Sequence, residues 1–232
     1  MRTGIVFAAF AALFVGLVVA PPPARALAPT TFDASMWQVD GRVRAIVETP
    51  NAIYLAGKFN NLIGPGGQRA ARTNLAAISP TTGAALPFVA NVNKQVWNIA
   101  LSPDGSTIYA VGDFTRANNV TRDRAAAFDA TTGAIKAWNP RLDQSGFGVA
   151  ALGNRVYLGG DFLTVGGQSH ARLAAVDATS GALVTGFTAT ANDSVETITP
   201  TPDGSKVMVG GLFTSISGSP NSTQRKMAAL DP

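Results

Sequence analysis

Residues 96–138 read VWNIALSPDGSTIYAVGDFTRANNVTRDRAAAFDATTGAIKAW, and the order of signals in this stretch decides the fold. An apolar run from Val96 to Leu101 ends at Ser102-Pro103-Asp104-Gly105, where proline presets φ and Asp-Gly completes a tight hairpin turn. The next run, Ile108-Tyr109-Ala110-Val111, is apolar on both faces, as expected of a strand sandwiched between neighbouring sheets. It closes on Gly112-Asp113-Phe114. A third run, Arg124-Ala125-Ala126-Ala127-Phe128, carries small side chains that permit close sheet-on-sheet approach. A fourth segment follows Thr132-Gly133-Ala134 and reaches an aromatic at Trp138.

The same signals recur on both sides. Gly-x-Phe appears at Gly57-Lys58-Phe59, Gly112-Asp113-Phe114, Gly160-Asp161-Phe162 and Gly211-Leu212-Phe213, the phenylalanines 55, 48 and 51 residues apart. A second marker, Thr/Ser-Gly-Ala, recurs at Gly83, Gly133 and Gly181 in the same phase. Two independent markers keeping one period define a repeat of about 50 residues, the length of a four-stranded propeller blade. The fourth segment has Phe88, Trp138 and Phe187, and by the same phase Phe32. Tyr54, Tyr109, Tyr157 and Met208 recur in the second strands and are read as packing residues between blades. The expected fold is therefore an all-β propeller. Residues 43–194 supply three complete blades, 32–42 a lone fourth strand, and 195–232 the first three strands of another. That arithmetic allows either a four-bladed ring closed by the N-terminal strand or, the favoured reading, a truncated piece of a larger propeller.

Composition agrees with a buried, turn-rich β protein: 46% of residues are hydrophobic, only 14% are charged, and there are 24 Gly and 14 Pro. The absence of Cys excludes a disulfide scaffold, a thiol nucleophile and Cys-ligated zinc, and the single His170 argues against His-rich metal centres. At the N-terminus, Arg2, the uncharged run Ile5 to Ala20, Pro21-Pro22-Pro23 and Ala24-Arg25-Ala26 have the layout of a secretory signal peptide. Cleavage after Ala26 is expected, leaving 27–232 as the repeat domain and an extracellular or cell-surface destination. The apolar run is shorter than the ~20 residues a membrane anchor needs. Removing Arg2 and Arg25 lowers the net charge from +4 to +2, too little for a nucleic-acid partner.

The pattern Ala-x-Ser-Pro-Asp-Gly-x-x-Ile-Tyr-x-x-Gly-Asp-Phe-Thr (residues 100–115), followed by Arg-x-x-Ala-x-Asp-x-Thr-Gly-Ala (124–134, one residue longer here), resembles the delta-60 repeat β-propeller family of secreted bacterial proteins. The resemblance covers residues 32–232 and is best over Val96 to Trp138. It implies an extracellular, non-catalytic propeller of the kind found in larger surface or adhesive proteins. Lys58 and Leu212 depart from the Gly-Asp-Phe pattern, and Ser79 replaces the Asp found at 129, 177 and 231. An Asp that is optional in this way reads as a turn residue, not a metal ligand.

Catalytic chemistry is sparse. No Gly-x-Ser-x-Gly elbow accompanies His170, and Gly64-Pro65-Gly66-Gly67 lacks the Gly-Lys-Ser/Thr of a phosphate loop. No catalytic, metal or cofactor residue is assigned and no cofactor is expected. Two enzyme alternatives remain. Ala127 to Trp138 resembles the tryptophan-docking motif of pyrroloquinoline quinone dehydrogenases, although the Trp stands one residue further from the Gly, which in a strand turns it to the other face. Asp143 and Asp193, in inter-blade loops read as equivalent, suggest a carboxylate pair that could flank a glycosidic bond.

Blade topology puts the long second connections (60–73, 115–123, 163–171 and 214–225) and the inter-blade links on one face. Candidate ligand-binding residues there are Arg72, Lys94, Arg116, Asn118, Arg122, Arg141, Asp143, His170 and Asp193. The mild excess of cations suits a polysaccharide or another surface protein as partner.

Overall fold

The computed structural model describes residues 33–217 and 226–232. The expected signal peptide 1–26, Phe32 and Arg225 lie outside the described residues. Among the described residues there is no helix; the chain is a series of antiparallel sheets.

Four three-stranded sheets follow one another with identical order. The first comprises Arg42–Glu48, Ile53–Lys58 and Leu75–Ile78, and the second Val96–Leu101, Thr107–Gly112 and Ala125–Asp129. The third is Gly146–Leu152, Arg155–Gly160 and Leu173–Asp177, and the fourth Val195–Pro200, Val207–Gly211 and Met227–Leu230. In each, the second strand lies between the first and third. First strands of consecutive sheets pack side by side, and no comparable packing joins the first and fourth sheets.

Local chemistry fixes each turn. The Asp104 carboxylate accepts from Ser102 Oγ, Ser106 N and Ser106 Oγ, and Gly105 takes φ +73°, so the Pro-Asp-Gly hairpin is held without help from the core. Asp203 and Gly204 repeat the device. In the third connection, Asp129 and Asp177 accept the backbone N–H groups two and three residues ahead. Ser79 Oγ does the same in the first sheet, which explains why the Asp there is dispensable.

The Gly-x-Phe corner has a steric cause. A Cβ added at Gly57, Gly112, Gly160 or Gly211 would lie 1.9–2.2 Å from the carbonyl oxygen of Arg42, Gln95, Ser145 or Ser194 on the adjoining strand, so no other residue fits. The phenylalanine that follows is buried in all four copies. Opposite it, Asn74, Arg124, Arg172 and Lys226 hold φ between 64° and 68° and exchange backbone hydrogen bonds with the Gly and Phe of the corner.

Apolar side chains fill the space between consecutive sheets. Tyr54 meets Phe88, Tyr109 meets Trp138, and Tyr157 meets Phe187 edge to face, with ring centroids 5.1–5.5 Å apart. Tyr54 and Tyr109 donate their hydroxyls across the junction to the carbonyls of Ala130 and Ala178. Trp138 is buried and gives its Nε1–H to Asp177 O of the third sheet, so it serves sheet packing.

Two expectations are corrected. A full fourth strand does not form: the segments carrying Phe88, Trp138 and Phe187 touch the ladder through single bridges, Ile78 with Ala85, Phe128 with Ile135 and Val176 with Leu183. Beyond each bridge the segment's carbonyls are taken by side chains reaching across from the second connection. Arg72 donates to Leu86 O, Arg122 to Lys136 O, and a ring nitrogen of His170 lies 3.0 Å from Phe187 O. Satisfied this way, the segment does not need ladder pairing. The four-sheet ring does not close among the described residues. Gln38–Val39 pairs with Leu62–Ile63 in the connection between the second and third strands of the first sheet, and Met227–Leu230 pairs with Val207–Gly210 alone. The phase of Phe32 also changes, because Val39, Val92, Leu142 and Ala191 occupy equivalent pairings. Counting back from them aligns Ser35, not Phe32, with Phe88, Trp138 and Phe187.

Candidate functional site

The first three second connections form short hairpins, and the described part of all four is pinned to the preceding inter-sheet link. Asp40 accepts from the N–H groups of Asn60 and Asn61, Asn93 from Thr115 and Arg116, Asp143 from Leu163 and Thr164, and Asn192 from Thr214 and Ser215. Links and second connections therefore do share one edge. The counterpart of Asp143 is Asn192, so Asp143 and Asp193 are not equivalent and the basis for pairing them as glycosidase carboxylates is gone. Burial raises the Asp143 carboxyl, but the N–H groups of Thr164 and Leu163 outweigh it and hold the group below its ordinary value.

Several residues expected to face a ligand are built into the scaffold. Arg122 is buried, contrary to its expected place in an exposed loop; its guanidinium bonds Thr121 O and Lys136 O, and burial lowers its pKa. His170 is buried in the equivalent position with its ring nitrogens against Leu173 O and Phe187 O, and Arg72 is half-buried in the same role. Asn118, at φ 47°, accepts from Asn91 N and donates to Gly133 O. Lys94, Arg116, Arg141 and Asp193 are exposed. Lys94 lines a recess of about 480 Å³ between the first and second sheets together with Asp40, Lys58, Asn93 and Asp113.

A different set of side chains converges on this edge. In every sheet the ladder between the first and second strands slips by one residue, between Val43 and Ala45, Val96 and Asn98, Gly146 and Gly148, and Val195 and Thr197. The residue set off in each bulge is Arg44, Trp97, Phe147 and Glu196 in turn. A bulge re-aims its side chain, and bulges concentrate next to functional sites. Here the first three stand in a row. The Arg44 guanidinium carbon stands 4.5 Å from the Trp97 ring centroid, and Trp97 meets Phe147 at 5.6 Å with the rings perpendicular. With Asn98 and Glu196 they line a cleft of about 430 Å³.

The cleft has a cation at one end, two half-buried aromatic rings in the middle and an anion at the other end. Trp97 Nε1–H donates to Asp113 Oδ1 at 2.9 Å, tying the aromatic row to the edge that carries the loops. Sequence reading missed this set because it looked for what recurs. The available signal was the reverse: Arg, Trp, Phe and Glu fill one repeat position at the start of the first strand, two residues before an Ile or Val that recurs in all four copies. On the opposite edge, a cavity of about 470 Å³ is lined by Ser102, Asp104, Ser106 and Lys136, whose polar groups are already engaged in the hairpin turns.

No family model matches the chain, and no curated protein matches it. Among solved structures it is similar to the computationally designed Ika4 protein, at 11% identity over 84% of this chain and 95% of that one, with a TM-score of 0.53. It is also similar to the structure of U3-55K, at 13% identity and TM-score 0.52, covering 86% of this chain and 56% of that one. At these identities the likeness concerns the fold alone.

Proposed function

We propose that this chain is an exported, non-catalytic module of β-propeller type that binds polysaccharide in the cleft formed by Arg44, Trp97, Phe147 and Glu196. The observation that carries this reading is the bulge column: four re-aimed side chains of four different chemistries on an otherwise repetitive frame. Varying re-aimed side chains on a rigid scaffold is how a binding surface is diversified without disturbing the fold. Half-exposed aromatic rings offer an apolar surface to the C–H faces of a sugar, and the Arg44 guanidinium, Asn98 amide and Glu196 carboxylate offer donors and acceptors to its hydroxyls. The exposed Lys94 and Arg116 on the same edge extend the surface toward acidic polysaccharides.

A glycan array probed with the parent chain and with the Trp97→Ala and Phe147→Ala variants tests the reading. Retention of a polysaccharide by the parent, weakened at least about tenfold in both variants (~1.4 kcal/mol), is the expected result. Release of reducing ends from the retained glycan would replace the binding role with hydrolysis. Equal retention by all three proteins would remove the cleft from the account.

A further inference from the structure

Two of the junctions between consecutive sheets share a polar clasp, and the junction between the first and second sheets lacks it. Ser145 Oγ donates to Asp113, the middle residue of one Gly-Asp-Phe corner, and Ser194 Oγ donates to Asp161, the middle residue of the next. At the first junction Lys58 stands where those corners have Asp, and Gln95 stands where the adjoining strand has Ser145 and Ser194. A cationic donor has thus replaced the acceptor. The Gln95 Nε2 amide group is buried without a hydrogen-bond partner, a state that folded proteins otherwise avoid. Lys58 and Lys94 form no ion pair or hydrogen bond among the described residues. All three side chains line the recess of about 480 Å³ between the first and second sheets. The carboxylates on the same wall are engaged elsewhere. Asp40 accepts from Asn60 N, Asn61 N and the Asn61 side-chain amide, and Asp113 Oδ1 accepts from Trp97 and Ser145.

We infer that this recess is a carboxylate-binding site, in which the ligand's carboxylate accepts from Lys58, Lys94 and the Gln95 amide. It supplies the acceptor that Asp113 and Asp161 supply at the two later junctions. Hydrogen bonds from ammonium groups to a carboxylate are charge-assisted and stronger than neutral ones. The two lysines on the wall are balanced by Asp40 and Asp113, which favours a singly charged carboxylate over a multiply charged phosphate. The volume lies within the range of about 300–1,000 Å³ typical of small-molecule sites, so the carboxylate can arrive on a sugar acid as well as on a free small acid. The inference is independent of what the aromatic cleft binds.

Following the Gln95 side-chain amide resonances during titration with sodium acetate and with sodium glucuronate tests this, with ionic strength held constant by sodium chloride and glucose as the neutral control. The resonances are assigned by their absence in Gln95→Met. The parent is expected to give a saturable shift with the carboxylates and none with glucose. Lys58→Asp returns the Asp of the other corners and gives the Gln95 amide an acceptor within the chain, so its response should be lost. Lys58 is exposed, and circular dichroism verifies that the variant keeps the fold. Lys94→Ala should weaken the response at least about threefold, as expected for the loss of one exposed charge. Glucuronate binding more tightly than acetate assigns the site to a sugar acid, and equal affinity assigns it to a free small acid; both support a carboxylate site. A parent that shows no saturable shift with either salt overturns the inference. So does a response to glucose equal to that with glucuronate, or one that Lys58→Asp leaves unchanged.

Discussion

The indole Nε1–H of Trp97 donates to Asp113 Oδ1 at 2.9 Å, and the same oxygen accepts the Ser145 hydroxyl of the next sheet at 2.7 Å. One carboxylate therefore orients the cleft aromatic and clasps two sheets. Asp113→Ala is expected to lower stability by about 1–3 kcal/mol, as losses of charged hydrogen-bond partners do, and also to weaken glycan retention. Asp161→Ala, which loses the Ser194 clasp and has no indole to hold, should destabilise while leaving retention unchanged. Chemical denaturation and array binding of the two variants, run side by side, separate the roles.

At the Gly-x-Phe corner, Phe114→Ala removes a fully buried ring and is expected to cost about 3–5 kcal/mol. Gly112→Val places a Cβ 2.2 Å from Gln95 O and forces the two strands apart. Thermal midpoints of both should fall well below the parent; unchanged midpoints would mean that the corner is not a packing element.

Arg122 and Arg141 belong to the same edge but differ in consequence. Arg122→Ala leaves Lys136 O without its donor inside the structure and should destabilise by about 1–3 kcal/mol. Arg141 is exposed, and its side chain can be removed with no measurable change in melting. Heparin retention of Arg141→Ala, and not of Arg122→Ala, then reports on the cationic surface itself.

What the sequence made legible was what repeats. The hairpin at Asp104, the turn at Asp129, the Gly112 corner and the Tyr109–Trp138 pairing all carry periodic residues with a local physical cause. The left-handed Arg124 and Arg172 were hidden, because no glycine or asparagine marks them. The truncated fourth strand was hidden as well, since its cause lies in side chains such as Arg122 that look like loop cations until their burial is seen. The cleft was the least legible: Arg44, Trp97, Phe147 and Glu196 share a register position and nothing else.

The hairpin carboxyls make stability fall in acid. Hydrogen bonds from Ser102 and Thr201, followed by those from Ser106 and Ser205, lower Asp104 and Asp203 to about 2 from an ordinary 3.8. Folded values below unfolded ones mean that the contribution is complete above about pH 4 and is lost as pH falls toward 2. The melting temperature should thus decline through that window, and the double variant Asp104→Asn, Asp203→Asn should decline less steeply than the parent.

The most direct test of the binding role follows the indole N–H resonances during titration with the polysaccharide retained on the array. Trp97 is assigned by its absence in Trp97→Phe, and the buried Trp138, bonded to Asp177 O, serves as internal control. The account predicts a saturable shift of the Trp97 signal with Trp138 unmoved. A glycan that binds while the Trp97 resonance stays in place would contradict it.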